Sequence, residues 1–290
     1  MAIYNLGSIN ADMTYRVPHL LAPGETLATS SLTRGLGGKG ANMSVAAARA
    51  GAQVRHLGAV GDDGRWAIER LTEYGVDTRQ IAVLSEATGH AIIMLDADAE
   101  NCILIYPGAN RALSVERIEA GLAEALPEDI FVFQNETNAQ REAAELASAR
   151  GLRVAYAAAP FDADAVTLVL PLLDLLVLNE IEAAQLEKAT GQGIDSIPVR
   201  DVVVTLGARG CRWINTDSRE TRDFAALPVT PVDTTGAGDT FTGYLLAGLD
   251  RGLPMVTSIE MAQRAAAIMV TRQGTADVIP DLKDVTEYRF

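Results

Sequence analysis

The run Asp233-Thr234-Thr235-Gly236-Ala237-Gly238-Asp239-Thr240-Phe241 passes directly into Thr242-Gly243-Tyr244-Leu245-Leu246, a polar glycine turn that becomes an apolar helical pattern. A helix start of this kind leaves its first N–H groups without partners and carries about half a positive charge. Gly236 and Gly238 let anion oxygens reach the backbone there. The junction is therefore an expected anion site. Asp239 in that place has two readings. It is a first-turn acid favoured by the helix dipole, or a base beside an oxyanion cradle, the pairing that phosphoryl transfer to an alcohol requires. Two glycines and a carboxylate sharing one phosphate-sized nest favour the second reading.

Around this junction the chain reads as α/β. Residues 3–9, 54–60, 130–134, 153–157, 173–178 and 201–206 are apolar runs suited to strands buried on both faces. Helical patterns at 43–50, 65–74, 115–126, 139–150 and 255–271 fall between or after them, which predicts a three-layer α/β/α fold with a mostly parallel sheet. Residues 211–215 and 220–224 are expected as a hairpin. One domain is expected over residues 1–290. Two inserts, at about 13–34 and 88–106, interrupt the rhythm. Residues 26–34 alternate short polar and apolar side chains, and residues 88–95 and 101–106 form a hairpin across 96–100. Together they predict a small β-sheet lid. Ile92, Met94, Ile103 and Ile105 on one of its faces suit the ligand or a second lid, so a homodimer through that face is expected.

Composition narrows the partners. The 290 residues are 48% hydrophobic and 21% charged with a formal charge of −14, which argues against nucleic acid or an anionic membrane surface. Only Cys102 and Cys211 occur, far apart, which fits a reducing compartment and makes the cytoplasm the expected location. The first residues lack the basic and apolar regions of a signal peptide. The most apolar stretch, 166–178, is cut by Pro171 and Asp174 and is too short to span a bilayer.

Other candidate site residues recur at strand ends. Asn10 and Asp12 follow the first strand, where an open parallel sheet binds ligands; an Asx turn is the alternative. Gly35-Leu36-Gly37-Gly38-Lys39-Gly40-Ala41-Asn42 matches G-x-G-x-x-G, but the strand before it is polar, which weakens a nicotinamide reading. Gly40 follows Lys39 where a Walker loop needs Ser or Thr. Lys39 and Asn42 in that loop are candidates to hold a polar ligand. Asn135 and Glu136 end a middle strand, and Asn179-Glu180-Ile181-Glu182 opens a helix. Glu182 is there a capping-box acid or an oxygen ligand, direct or through water, for Mg²⁺.

Two signatures together carry a specific resemblance: Gly37-Gly38-Lys39-Gly40-Ala41-Asn42 through Gly61-Asp62-Asp63-Gly64, and Asp233 through Phe241. In these the chain resembles the ribokinase-like (PfkB) carbohydrate kinases, over essentially its whole length. Gly7-Ser8-Ile9-Asn10-Ala11-Asp12, Gly24-Glu25-Thr26 and Gly108-Ala109-Asn110 point to a pentose among the sugars of that family. The resemblance implies an ATP-dependent kinase in which Asp239 takes the proton from a primary hydroxyl and Gly236, Ala237 and Gly238 line the hole for the transferred phosphate. It assigns the sugar to Asn10, Asp12, Gly38, Lys39, Asn42 and Glu136. ATP is assigned to Asn179, Thr205, Gly207, Gly210 and Gln263, and Mg²⁺ to Asn179 and Glu182 through water.

It further implies a K⁺ site at the main-chain carbonyls of Asp233, Thr235, Met269, Arg272 and Gly274. Val278 stands where a serine often completes that shell, which leaves cation activation open. Two further departures are Ala158-Ala159-Pro160, where the family has Asn or Asp before the proline, and residues 191–200, too short for the usual helix and turn. Competing acceptors are a nucleoside or fructose. A nucleoside needs aromatic stacking, for which the lid offers little beyond Tyr15 and Tyr106. A sugar sensor without turnover would have no need of Asp239.

Overall fold

The computed structural model describes residues 1–98 and 100–290; Ala99, in the expected 96–100 turn, lies outside the described residues. The strands are β1 (Ile3–Leu6), β2 (Asn10–Arg16), β3 (Ser31–Gly37), β4 (Val54–Gly61), β5 (Ile81–Leu84), β6 (Gly89–Leu95), β7 (Asn101–Tyr106), β8 (Ile130–Gln134), β9 (Arg153–Ala157), β10 (Leu175–Asn179), β11 (Asp201–Thr205), β12 (Cys211–Asn215) and β13 (Glu220–Phe224). The helices are α1 (Lys39–Arg49), α2 (Arg65–Glu73), α3 (Val115–Gly121), α4 (Gln140–Ala149), α5 (Ala163–Val169), α6 (Glu180–Thr190), α7 (Ala237–Asp250), α8 (Met255–Met269) and α9 (Leu282–Glu287).

Among the described residues, nine strands form one sheet in the order β13-β12-β11-β10-β9-β8-β1-β4-β5. It is parallel throughout except at the β11/β12 and β12/β13 pairs. Alternate side chains of its central strands enter two separate cores, as the pleat requires. Ile3, Val132 and Val177 pack with Val45, Tyr244, Ile259 and Ile268 under α1, α7 and α8. Tyr4, Phe131, Phe133 and Leu176 pack with Ala143, Val166 and Leu186 under α4, α5 and α6. The predicted α/β/α layering is what the chain adopts.

A second sheet has the order β3-β2-β6-β7. It starts earlier than expected. The strand foreseen at 3–9 ends at Leu6, because Gly7 bends the chain against Gly40: a Cβ on Gly40 would lie 2.3 Å from the Gly7 Cα. The Asn110 side chain then holds Ile9, accepting from its N–H at 2.9 Å and donating to its carbonyl at 3.2 Å. Asn10 and Asp12 therefore belong to β2 of the outer sheet and not to the end of a core strand. Its partner β3 runs from Ser31 to Gly37 where 26–34 was expected, since the register pairs Asp12 with Gly35 and Asn10 with Gly37.

Two expectations about helices also change. The first helix begins at Lys39, four residues early, because Gly38 takes φ 95° and caps it. The helix expected over 115–126 stops at Gly121. Residues 191–200 contain no helix, yet they do cover the sheet: Ile197 and Val199 are buried in the second core.

Candidate active site

Helices α1 and α7 both begin at the same end of the large sheet and pack closely. Gly243 makes this possible: a Cβ there would stand 2.5 Å from Ala46 Cβ and 2.6 Å from the Met43 carbonyl. The contact brings Asn42, on the first turn of α1, to Asp239, on the first turn of α7. Asn42 Nδ2 donates to Asp239 Oδ2 at 2.9 Å, with both residues buried. Asn42 Oδ1 is buried with no partner among the described residues. At the start of α7 the amide of Ala237 donates back to the Thr234 carbonyl at 3.2 Å. Among the described residues, those of Gly236, Gly238 and Asp239 make no hydrogen bond within the chain. The free amides at this helix start are therefore those of Gly236, Gly238 and Asp239, while that of Ala237 is engaged. Gly236 is left-handed at φ 74°, which aims the turn.

On one side of this nest lie the remaining residues assigned to sugar. Glu136 Oε2 accepts from the Lys39 amide at 3.1 Å and from the Ser8 hydroxyl. Asn10 Oδ1 accepts from Asn110 Nδ2 at 2.8 Å. Asp12 has no hydrogen-bonded partner for its carboxyl among the described residues; it lies over Gly37, where a Cβ would be 2.0 Å from its oxygen. Burial pushes the Asp12 carboxyl up to about 7, helped by the negative charges of Glu136 and Asp239. The Lys39 ammonium is held more strongly in its charged form by Asp239, then by Glu136 and Glu182. Asn10, Asp12, Lys39, Asn42, Glu136 and Asp239 are therefore brought into one basin with Gly38, whose own Cβ would meet the Ser8 carbonyl at 2.7 Å. Ser8 and Asn110 are functional candidates that reading residue by residue missed. Both lie in stretches the family resemblance quoted, and only the fold shows what they touch.

On the other side, Asn179 and Thr205 are register partners at the ends of β10 and β11. The capping box at α6 is complete: Asn179 Oδ1 accepts from Glu182 N at 2.9 Å and Glu182 Oε2 accepts from Asn179 N at 2.8 Å. One oxygen of Glu182 and the Oδ1 of Asn179 are thereby engaged. The second Glu182 oxygen makes no hydrogen bond among the described residues, and burial raises the pKa of that carboxyl. Gly207 and Gly210 flank a short turn after β11. A Cβ on Gly210 would lie 1.9 Å from the Phe224 carbonyl. Gln263 Nε2 donates to the Phe224 and Ala225 carbonyls at 3.3 Å, so it ties α8 to the end of β13 and only its oxygen remains to contact a ligand.

The residues assigned to K⁺ also meet. Asp233 accepts from Thr235 N at 2.9 Å and from Gly274 N at 3.2 Å, joining the two loops directly. Arg272 N donates to the Met269 carbonyl at 2.9 Å. Val278 lies 3.4 Å from where a Gly274 Cβ would be and offers no oxygen. This donor set fits a cation shell only in part.

An open helix start next to a buried carboxylate, facing a basin of amides, carboxylates and one lysine, is the equipment of an enzyme that moves a phosphoryl group onto a polyhydroxyl substrate. Residues 3–282 match the pfkB family carbohydrate kinases. The chain is 35% identical to the ribokinase of Haemophilus influenzae, over 98% of its own length and 96% of that protein's. It superposes on a Thermotoga maritima ribokinase with a TM-score of 0.88 at 30% identity, covering 99% of this chain and 98% of that one. Against Arabidopsis thaliana ribokinase complexed with ribose and ATP the TM-score is 0.85 at 26% identity, over 100% of both chains. The chain belongs to the pfkB family of carbohydrate kinases.

Asp12 makes this basin unfavourable to the ligand-free fold at high pH. Unfolded, its carboxyl ionises near 3.8, whereas in the fold it ionises near about 7. Between those values the native state holds the extra proton, so Asp12's contribution to stability falls as pH rises through that window and stays low above it. Asp12→Asn is expected to raise the melting temperature at about pH 8 and to change it little at about pH 4. An equal effect at both, measured by thermal melts, would contradict the buried-acid assignment.

Proposed function

We propose that this kinase transfers the γ-phosphate of ATP to the primary 5-hydroxyl of a pentose, D-ribose, giving ribose 5-phosphate. The observation that carries the reading is the Asn42–Asp239 hydrogen bond beside the three unpaired amides of the α7 start. Asp239 takes the proton of the attacking hydroxyl. Asn42 fixes the carboxylate's second oxygen, and the amides of Gly236, Gly238 and Asp239 receive the transferred PO₃ group as its charge spreads. Asn10, Asp12, Lys39 and Glu136 offer the mixture of carboxylate acceptors and donors that a vicinal diol needs. The Haemophilus influenzae and Arabidopsis thaliana proteins support ribose and ATP as the pair. Bound Mg²⁺, held through water at Glu182 near Asn179, would neutralise phosphate charge. Thr205, Gly207, Gly210 and Gln263 are read as the walls of the nucleotide site.

A coupled ADP-release assay over pentoses, hexoses and nucleosides tests this directly. Ribose is expected to give the highest kcat/KM, and a preference for a nucleoside or for fructose would overturn the acceptor assigned. With Asp233 already tying its loop to Gly274 and Val278 supplying no ligand, exchanging K⁺ for Na⁺ is expected to change turnover less than about twofold. Asp239→Asn should lower kcat by about 100- to 10,000-fold while KM values stay within a few-fold, the signature of a group used in the transition state. Parental turnover in that variant would remove Asp239 as the base.

Glu182→Gln separates cap from metal role, because glutamine still accepts the Asn179 N–H. Its thermal stability should hold while half-maximal activity moves to higher Mg²⁺; an unmoved Mg²⁺ dependence excludes Glu182 from the metal.

The outer sheet is read as a lid over the sugar and as the contact with a second copy. The single apolar face expected from the sequence is not formed: Ile103 and Ile105 pair with Ile93 and Ala91, whereas Ile92 and Met94 pair with Leu104 and Cys102 on the opposite face. Strand β7 is nevertheless exposed along its length at the edge of the sheet, and this edge supports the contact. Light scattering at assay concentration is expected to give a dimer mass, and a monomer would remove this contact. No helix of the described residues is long and apolar enough to cross a membrane. An exposed Cys102 and a buried Cys211, both as free thiols, fit a reducing cytoplasm.

A further inference from the structure

Beneath the sugar basin lies a second polar layer that the chemistry above does not use. Asn5 on β1, Ser44 on α1, His56 on β4 and Gln134 on β8 are each no more than 1% exposed. They come from four elements and form one chain of hydrogen bonds. Gln134 Nε2 donates to Asn5 Oδ1 at 2.9 Å. Asn5 Nδ2 donates both to the Gly40 carbonyl and to Ser44 Oγ, each at 2.8 Å. Ser44 Oγ lies 2.8 Å from His56 Nδ1, and His56 Nε2 lies 3.0 Å from the Gly7 carbonyl.

The direction of every bond is fixed. A carbonyl only accepts, so His56 Nε2 carries the proton, Nδ1 accepts from the Ser44 hydroxyl, and the hydroxyl accepts from Asn5. Burial pushes the His56 imidazole down to about 4, which keeps it neutral in ordinary buffers. Within this network, Gln134 Oε1 has no partner among the described residues. Gly58 leaves the room for the His56 bond, since a Cβ there would be 2.8 Å from Nε2.

Asn5 and His56 grip the backbone of the two glycine corners that touch each other, Gly40 and Gly7. Immediately above, the same corners carry the sugar basin. Gly40 N donates to Ser8 Oγ at 3.3 Å, Ala41 N to the Ser8 carbonyl at 2.9 Å, and Glu136 binds Ser8 and the Lys39 amide. We propose that Asn5, Ser44 and His56 are positioning residues that set the separation of the Gly7–Ser8 and Gly38–Gly40 corners, and through it the placement of Lys39 and Glu136 on the sugar. The proposal rests on the sugar-kinase reading. A buried network with one allowed polarity holds its atoms in one arrangement, whereas an apolar contact of the same size would let the corners slide. Among the described residues, none of the network's hydrogen bonds involves β10, β11 or α8, which carry the residues read as the nucleotide site.

The test is Ser44→Ala, which cuts the chain at its middle, with His56→Gln as an independent cut that retains a donor for Gly7. In the full-length enzyme each is expected to raise the ribose KM by about 3- to 10-fold and leave the ATP KM within about twofold. Nitrogen-15 spectra of the parent should show His56 as the neutral Nε2–H tautomer, and Ser44→Ala should shift the amides of Ser8 and Gly40, a readout that needs no activity. A ribose KM within about twofold of the parent in a folded variant, or equal rises for ribose and ATP, overturns the proposal. An Nδ1–H tautomer for His56 also overturns it. A parent that phosphorylates no pentose instead sinks the sugar-kinase reading, and the spectra still decide whether the network sets the corners.

Discussion

The bond from Asn42 to Asp239 depends on two helices approaching closely enough for short side chains on their first turns to meet. That distance is set by Gly243, against which Ala46 and the Met43 carbonyl pack without room for a Cβ. A larger residue there would push the start of α1 away from the start of α7, and the two halves of the basin would separate. The Gly7–Gly40 contact does the same work at the other end of the α1 turn. The site is therefore a consequence of backbone proximity first and of side-chain chemistry second.

Proximity also creates an electrostatic conflict. Asp12, Glu136 and Asp239 converge with Lys39 as the nearest cation that the carboxylates share, and Asp12 answers by holding its proton up to about 7. An unliganded fold gains nothing from that arrangement. A ligand carrying several hydroxyls relieves it, because each hydroxyl donates to a carboxylate that has few other donors. The orphaned Asn42 Oδ1 fits the same pattern. Stability given up in the empty site is the usual counterpart of a basin shaped for a polar ligand.

Much of this was legible in the sequence, and the limits have physical causes. Long buried strands such as Ile130–Gln134 and Arg153–Ala157 announced themselves because both faces are apolar, and the glycine turn before α7 announced its anion site. The short strand Ile81–Leu84 did not, since four apolar residues carry no period. Asn10 and Asp12 were placed at a strand end because Ile9 continues the apolar run. The bend at Gly7 is forced by Gly40, 33 residues later, and no local pattern contains that contact. Ser8, Asn110 and His56 were silent for the same reason: their partners lie between 12 and 128 residues away. Ala237 was expected to offer its amide, and the turn bond that engages it with the Thr234 carbonyl is not visible in the local sequence pattern.

Glu182 shows how a structural and a functional reading coexist in one side chain. Sequence alone left a helix cap and a metal ligand as alternatives, and the capping box is plainly formed. A cap uses one carboxylate oxygen and fixes the side-chain torsions, which aims the other oxygen in a constant direction. An unrestrained glutamate would lose rotamer entropy on binding a hydrated cation, whereas this one has already lost it on folding. The Asn179–Glu182 pair would therefore make the proposed water-mediated metal contact easier by making the helix first, and the raised pKa of Glu182 would be offset by a divalent charge beside it.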